Sequence, residues 1–204
     1  MSTPISFYFD FMSPYGYFGS TQIEAVAARH GRAVDWKPLL IGVTVMQIMG
    51  MKPLMETPLK KDYIRHDKAR MARLLDLPFV DHGLPGVQSV NALRSFLWLK
   101  AQDPALAVRF AKRVYQHFWG EGQDITAPEV SAEIVKSLGG DADAALAAMA
   151  SPQWKQALRA EVDAAVAQGV FGSPYFIADG EPFWGVDRLW MLEHWLSRKT
   201  WDAS

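Results

Sequence analysis

Ser13 closes the run Phe7-Tyr8-Phe9-Asp10-Phe11-Met12, is followed by Pro14, and belongs to a chain that contains no cysteine. An aromatic run passing through Ser-Pro into a helical pattern reads as a strand-to-helix junction, where the first helical N–H groups are unpaired and carry a partial positive charge. The side chain offered there is a hydroxyl. Any sulfur chemistry at this junction therefore needs a thiol from a ligand. Two roles suit Ser13. Serine before proline is a common helix start, its oxygen accepting from a helix N–H. The same hydroxyl can instead donate to a ligand sulfur held at the helix start, where a thiol is pushed toward thiolate as cysteines are. The two roles differ in where the hydroxyl points.

A second signal is Phe171-Gly172-Ser173-Pro174-Tyr175. A proline opening a strand sits at its start or on a sheet edge. It marks either an ordinary loop-to-strand turn or a proline beside a reactive helix end, with Ser173 presenting its backbone to an extended peptide. Phe183-Trp184-Gly185-Val186-Asp187-Arg188 is the third. Gly185 permits close backbone approach, and Asp187 is placed to cap the following helix. The same segment suits a ligand carboxylate, with Asp187 meeting an ammonium group, as an amino-acid or γ-glutamyl end requires.

Other patterns are weaker. His30, His66, His82, His117 and His194 show no metal-ligand spacing. No phosphate loop, dinucleotide fingerprint or nucleophile elbow is present. Thr57 to Leu75 carries six basic residues, expected on a solvated face, although one lysine there suits an anionic substrate. Met46, Met49, Met51 and Met55 suit an adaptable apolar wall, with core packing or a dimer contact as the plainer roles.

The elements that must position these residues follow from pattern. Ile5 to Phe11 reads as a buried strand, Tyr15 to His30 as a helix stopped by Gly31, and Ala33 to Pro38 as a second strand parallel to the first. Helical periodicity then dominates. Thr126-Ala127-Pro128-Glu129 has the form of a capping box ahead of Val130 to Leu138, and helices fit Asp141 to Met149 and Pro152 to Gln168. Tyr175 to Ala178 and Pro182 to Trp184 flank Asp179-Gly180, a hairpin turn, and a last helix fits Leu189 to Arg198. The order β-α-β, helical block, β-β-α predicts an α/β protein: a thioredoxin-like fold with a helical domain inserted between its halves. Residues 1–55 and 169–204 form the first unit and 56–168 the second.

The 204 residues are half hydrophobic, 21% charged and carry a net charge of -1, a soluble globular balance with no electrostatic case for nucleic acid or an anionic membrane. Absent cysteine excludes disulfides, thiolate metal sites and a protein-borne dithiol, and fits a reducing compartment. The N-terminus lacks a signal-peptide pattern, and the apolar stretch from Leu39 to Met51 is too short to span a bilayer. A cytoplasmic protein is expected.

Four ordered motifs give the chain a resemblance to the 2-hydroxychromene-2-carboxylate isomerases and the related kappa-class glutathione transferases, within the DsbA-like superfamily. They are the Phe7-Tyr8-Phe9-Asp10-Phe11-x-Ser13-Pro14-Tyr15 start, Trp119-Gly120-Glu121-Gly122 with Asp124-Ile125, Phe171-Gly172-x-Pro174, and Trp184-Gly185-x-Asp187-Arg188-Leu189. The resemblance implies a glutathione-binding homodimer active in aromatic-compound breakdown. It implies that Ser13 is the catalytic serine beside the glutathione sulfur. Ser173 and Pro174 then hold the cysteinyl backbone, and Trp184, Gly185, Val186 and Asp187 the γ-glutamyl end. Val186 departs from the polar residue often found there. The substrate side departs further: Val45, the Met51–Glu56 stretch and the Leu84–Pro85 region stand where the isomerases carry a lysine, an asparagine turn and a tyrosine. Met51 replaces the asparagine of the kappa-type Gly-Asn-Lys-Pro, which makes the expected pocket more apolar, with Tyr15, Phe18, Met51 and Trp184 as its lining.

Three functions fit. One is a glutathione-dependent isomerase of a small aromatic or unsaturated carboxylate, working by reversible thiolate addition. The second is a kappa-like transferase that conjugates glutathione to an electrophile. The third is a non-catalytic binder of thiol peptides.

Overall fold

The computed structural model of the chain describes residues 3–82 and 86–202. The Leu84–Pro85 region singled out above lies outside the described residues. β1 (Ile5–Phe9) enters the interior directly because four of its five residues are buried apolar side chains. β2 (Val34–Pro38) lies parallel to it, from Ile5 opposite Val34 to Phe9 opposite Pro38. β3 (Tyr175–Ala178) is antiparallel on the other side of β1, and β4 (Glu181–Trp184) is antiparallel to β3. The mixed sheet has the order β2-β1-β3-β4, so the chain's first strand is central and β3 brings residues from the far end of the sequence beside it. Asp179 and Gly180 both have positive φ (53° and 86°), as a primed two-residue hairpin needs.

The helix expected over Tyr15 to His30 is two helices, α1 (Pro14–Ser20) and α2 (Ile23–Arg29). Ser20 Oγ donates to the Tyr17 carbonyl at 2.6 Å, Thr21 Oγ1 to Phe18 at 2.9 Å and Gln22 Nε2 to Phe18 at 3.1 Å. Three successive side chains thus take up carbonyls at the end of the first helix and end it. Between β2 and β3 run α3 (Lys60–Leu74), α4 (Val90–Lys100), α5 (Pro104–Tyr115), α6 (Pro128–Ser137), α7 (Ala142–Ala150) and α8 (Pro152–Ala167), with π-helical turns at Gly42–Ile48 and Gln116–Gly120. The last helix, α9 (Leu189–Arg198), has the expected bounds.

Two expected caps do not form. Ala127 precedes α6, and Thr126 instead ties this loop to α4: its hydroxyl accepts from Gln88 N–H at 3.1 Å and its carbonyl from Asn91 Nδ2 at 2.9 Å. Asp187 lies in the turn Val186–Arg188, one residue too early to cap α9, and pairs with Arg188 at 3.1 Å. The methionines are not core: Met46, Met49, Met51 and Met55 are 39–50% exposed.

Aromatic rings join the sheet to the helices. Phe9 lies 5.0 Å from Phe96 of α4 and 5.3 Å from Trp36 of β2, both edge-on, and Phe11 lies 5.0 Å from Tyr115 at the end of α5. One hydrophobic cluster therefore runs from the strands into the helical block, and it fixes α5 against the β1–α1 turn. Among the described residues no helix is long and apolar enough to cross a membrane.

Candidate active site

Ser13 has extended backbone (φ -95°, ψ 115°) and caps α1: its Oγ accepts from Gly16 N–H at 3.0 Å, with Pro14 in the first helical turn. The same hydroxyl donates to the Ser173 carbonyl at 2.6 Å. Capping uses only the oxygen's lone pair, so both partners are held at once. Ser13 itself is buried.

Ser173 precedes a cis peptide bond to Pro174. Its Oγ accepts from Asp10 N–H at 3.0 Å, which fastens the residue to the end of β1 across 163 positions of sequence. One strand further out, Gly185 N–H donates to the Pro174 carbonyl at 3.0 Å. Gly185 has φ 103°, and a Cβ there would collide with the Asp187 carboxylate, so only glycine fits this bend. After the bend the turn Val186–Arg188 packs against α1. Val186 is buried, while the Asp187 carboxylate is exposed. Trp184 is 57% exposed, its ring 4.9 Å from Phe171 on the approach to Ser173. Ser13, Ser173, Pro174, Gly185 and Val186 thus converge from opposite ends of the chain.

The expected lining residues do not converge as well. Tyr15 donates its phenol to Asp67 of α3 at 2.6 Å, and burial, followed by that carboxylate, pushes its pKa up. Phe18 is a correction: it has no exposed surface and packs among Tyr15, Tyr17 and Phe79, so it is a core residue and offers a substrate nothing. Met51 is 43% exposed on the segment after β2. Lys68 corrects the expected solvated basic face. It is 3% exposed, pairs with Asp81 at 2.6 Å and lies 5.9 Å from the centre of the Trp119 ring.

Three positioning groups escaped the sequence reading. Asp10 is wholly buried, accepting at Oδ1 from Ser89 Oγ at 2.6 Å and Met12 N–H at 3.1 Å, and at Oδ2 from Ile41 N–H at 2.9 Å. Burial pushes its carboxyl above the usual range, against those hydrogen bonds. Tyr115, also wholly buried, donates to the Asp10 carbonyl at 3.0 Å. Trp119 Nε1 donates to the Phe11 carbonyl at 2.8 Å. Trp119 was visible as a motif residue and Asp10 as a charge within an aromatic strand. Tyr115 carried no local signal, being one more apolar-face position on a periodic helix.

The arrangement can hold an extended peptide along Ser173 and Gly185 and present a hydroxyl to a ligand atom at the head of α1. It contains no thiol with which to exchange disulfides.

Comparison with known proteins agrees with this geometry. A family model described as a DSBA-like thioredoxin domain matches residues 4–197. Over 197 residues the chain is 29% identical to a 2-hydroxychromene-2-carboxylate isomerase of Sphingobium xenophagum, covering 96% of this chain and 99% of that protein. It is 25% identical to glutathione S-transferase kappa 2 of Caenorhabditis elegans, covering 91% and 88% of the two chains. The solved structure of a 2-hydroxychromene-2-carboxylate isomerase matches with a TM-score of 0.87 at 26% identity, covering 97% of this chain and 96% of that one.

Proposed function

The chain belongs to the DSBA-like thioredoxin domain family, and within it we propose that this protein is a glutathione-dependent isomerase of the 2-hydroxychromene-2-carboxylate isomerase type. The observation that carries the reading is the Ser13 hydroxyl meeting the Ser173 carbonyl at the head of α1 in a chain without cysteine. A family fold built around a reactive group at this junction has here a hydroxyl suited to supporting a borrowed thiol. Full-length likeness to a named isomerase supports the reaction class.

The residues present fit glutathione. Ser173 and Pro174 offer backbone to a cysteinyl unit, and the Val186 N–H and Asp187 carboxylate beyond Gly185 are assigned to the carboxylate and ammonium of a γ-glutamyl end. When bound, glutathione supplies a thiolate that adds reversibly to a conjugated carbon, allows rotation about the former double bond and is released unchanged. Ser13 holds that sulfur. Its Oγ stays fixed by the Gly16 N–H while the proton swings about the Cβ–Oγ bond from the Ser173 carbonyl to the sulfur. A hydrogen bond from a neutral donor to a thiolate favours the charged form and lowers the thiol pKa. The substrate side is assigned to Trp184, exposed beside Phe171, with Met51 and Tyr15 as further contacts for an aromatic carboxylate. The protein works as a homodimer in the cytoplasm.

The test is the absorbance change of 2-hydroxychromene-2-carboxylate with and without glutathione, with free thiol measured in parallel. Isomerisation that needs glutathione and consumes none is expected. Full activity without glutathione overturns the proposal. The likeness to kappa-class transferases favours one rival, conjugation to an electrophile, which stoichiometric loss of thiol would reveal.

A further inference from the structure

The hydrogen bonds around Ser173 lead back to α5 through Asp10. Asp10 N–H donates to Ser173 Oγ at 3.0 Å, and Tyr115 donates its own proton to the Asp10 carbonyl at 3.0 Å. Asp10 is thus the relay between them: its carbonyl takes the phenol proton of Tyr115 and its N–H holds the Ser173 side chain.

Gly16 shows how closely Tyr115 and Ser173 approach the site. A Cβ on Gly16 would lie 2.5 Å from the Tyr115 hydroxyl, 2.8 Å from Ser173 Oγ and 3.3 Å from Ser13 Cβ. Both hydroxyls are thus packed under the first turn of α1, on whose cap Ser13 sits. Tyr115 reaches it from the last residue of α5 and is held there by edge-on contact with Phe11.

We propose that Tyr115 is a positioning residue for the thiol site: through Ser173 it sets the carbonyl that holds the Ser13 hydroxyl, and so the point from which Ser13 meets a ligand sulfur. The inference rests on the glutathione reading above for its chemical consequence, though not for its geometry. The Ser173 side chain is bonded to the end of β1, and its carbonyl meets Ser13 at 2.6 Å. Removing the phenol hydroxyl leaves the Asp10 carbonyl without that donor. The end of β1 then shifts, and Asp10 N–H carries the Ser173 side chain and its carbonyl with it. A shift of a few tenths of an ångström at Ser13 is felt most by a bond that must form to sulfur during reaction.

Tyr115→Phe keeps the ring's packing and tests this with two readouts. The first is a crystal structure of the variant beside the wild type, where the Ser13 Oγ to Ser173 O separation is expected to lengthen. The second is titration of the thiolate absorbance of glutathione in complex with each protein. The thiol pKa is expected to rise by roughly one unit. The kcat is expected to fall by roughly 10-fold, with the KM for glutathione within about 2-fold. Ser173→Ala cuts the same relay at its other end, and the double variant is expected to be no worse than the worse single one, whereas additive losses count against a shared relay. An unmoved Ser13–Ser173 separation together with an unmoved thiol pKa overturns the proposal. A wild type that forms no glutathione thiolate overturns the glutathione reading, and the crystal separation still decides the role of Tyr115.

Discussion

The two sides of the candidate site are built differently. On the thiol side, buried Ser13, Asp10 and Tyr115 and half-buried Ser173 are joined by hydrogen bonds between residues 105 to 163 positions apart. On the other side, the segment after β2 exposes Met46, Ile48, Met49, Met51, Leu54 and Met55 by 39–58%. The first arrangement holds atoms in one place, as recognition of a fixed thiol peptide needs. The second is rich in unbranched, polarizable methionine and loosely covered, as accommodation of varied apolar ligands needs. Both meet at Asp10, whose carboxylate accepts from Ile41 N–H at the entry to the methionine segment. The comparison teaches that the side proposed to hold the thiol is the rigid one, and that on the same proposal substrate choice belongs to the adaptable one.

The strongest way to break the comparison is to remove what joins the halves. Asp10→Ala leaves the Ser89 hydroxyl and the Ile41 and Met12 N–H groups unpaired in the interior, and a loss of about 4 kcal/mol in denaturant unfolding is expected. A loss below about 1 kcal/mol would show that water or neighbouring groups replace the carboxylate and that the hub is dispensable. The pH dependence has a definite sign. Because burial raises the folded-state pKa of Asp10 above its unfolded value, the folded state binds its proton more tightly. The contribution is fully present below the unfolded pKa, about 4, and is lost as pH rises through the folded pKa. Asp10→Ala should therefore abolish a decline in stability over that rising window, measured as the difference in unfolding midpoint between the two proteins.

Next in size is Ser13→Ala, which acts on the thiol side alone. Loss of the donor to sulfur is expected to lower kcat by roughly 100-fold. Loss of the cap to Gly16 costs about 1 kcal/mol of stability, a fall of about 2–4 °C in Tm. Ser13→Thr keeps a hydroxyl that can cap, and recovery of Tm without recovery of kcat would separate the two roles that the sequence left open. A kcat within about 2-fold of wild type for Ser13→Ala would remove Ser13 from the chemistry, since a positioned donor is worth far more.

How much of this was legible in the sequence depends on the range of the force involved. β1, the Asp179-Gly180 hairpin and α9 are local matters of aromatic content, turn chemistry and apolar period; all three form, with β1 ending at Phe9, two residues before the expected Phe11. The break between α1 and α2 was hidden because Ser20, Thr21 and Gln22 are ordinary helix residues until their side chains take the carbonyls. The capping box at Thr126 failed because a tertiary partner, Gln88 N–H, took the hydroxyl. Periodicity marked Phe18 and Lys68 by face only. What covers each face is decided by Phe79, Asp81 and Trp119, distant in sequence, so one pocket candidate became core and one basic residue became buried. Ser13, Ser173 and Gly185 were legible through recurring motifs. Tyr115 was not, because nothing in a helical stripe tells a tyrosine that hydrogen-bonds from one that merely packs.

The smallest expected effect sharpens the comparison from its adaptable side. Met51→Ala trims an exposed side chain that the described contacts hold only through its backbone, Met51 N–H donating to the Val45 carbonyl at 2.9 Å. Its stability should change by less than about 0.5 kcal/mol. Its KM for an aromatic carboxylate should rise by about 3-fold, the worth of a partial apolar contact, while the KM for glutathione stays put. Asp10→Ala and Ser13→Ala reverse that pattern, one disturbing the fold and the other the thiol. A Met51→Ala variant that loses glutathione affinity along with substrate affinity would mean that the segment closes over both ligands, and that the proposed site has one wall and not two.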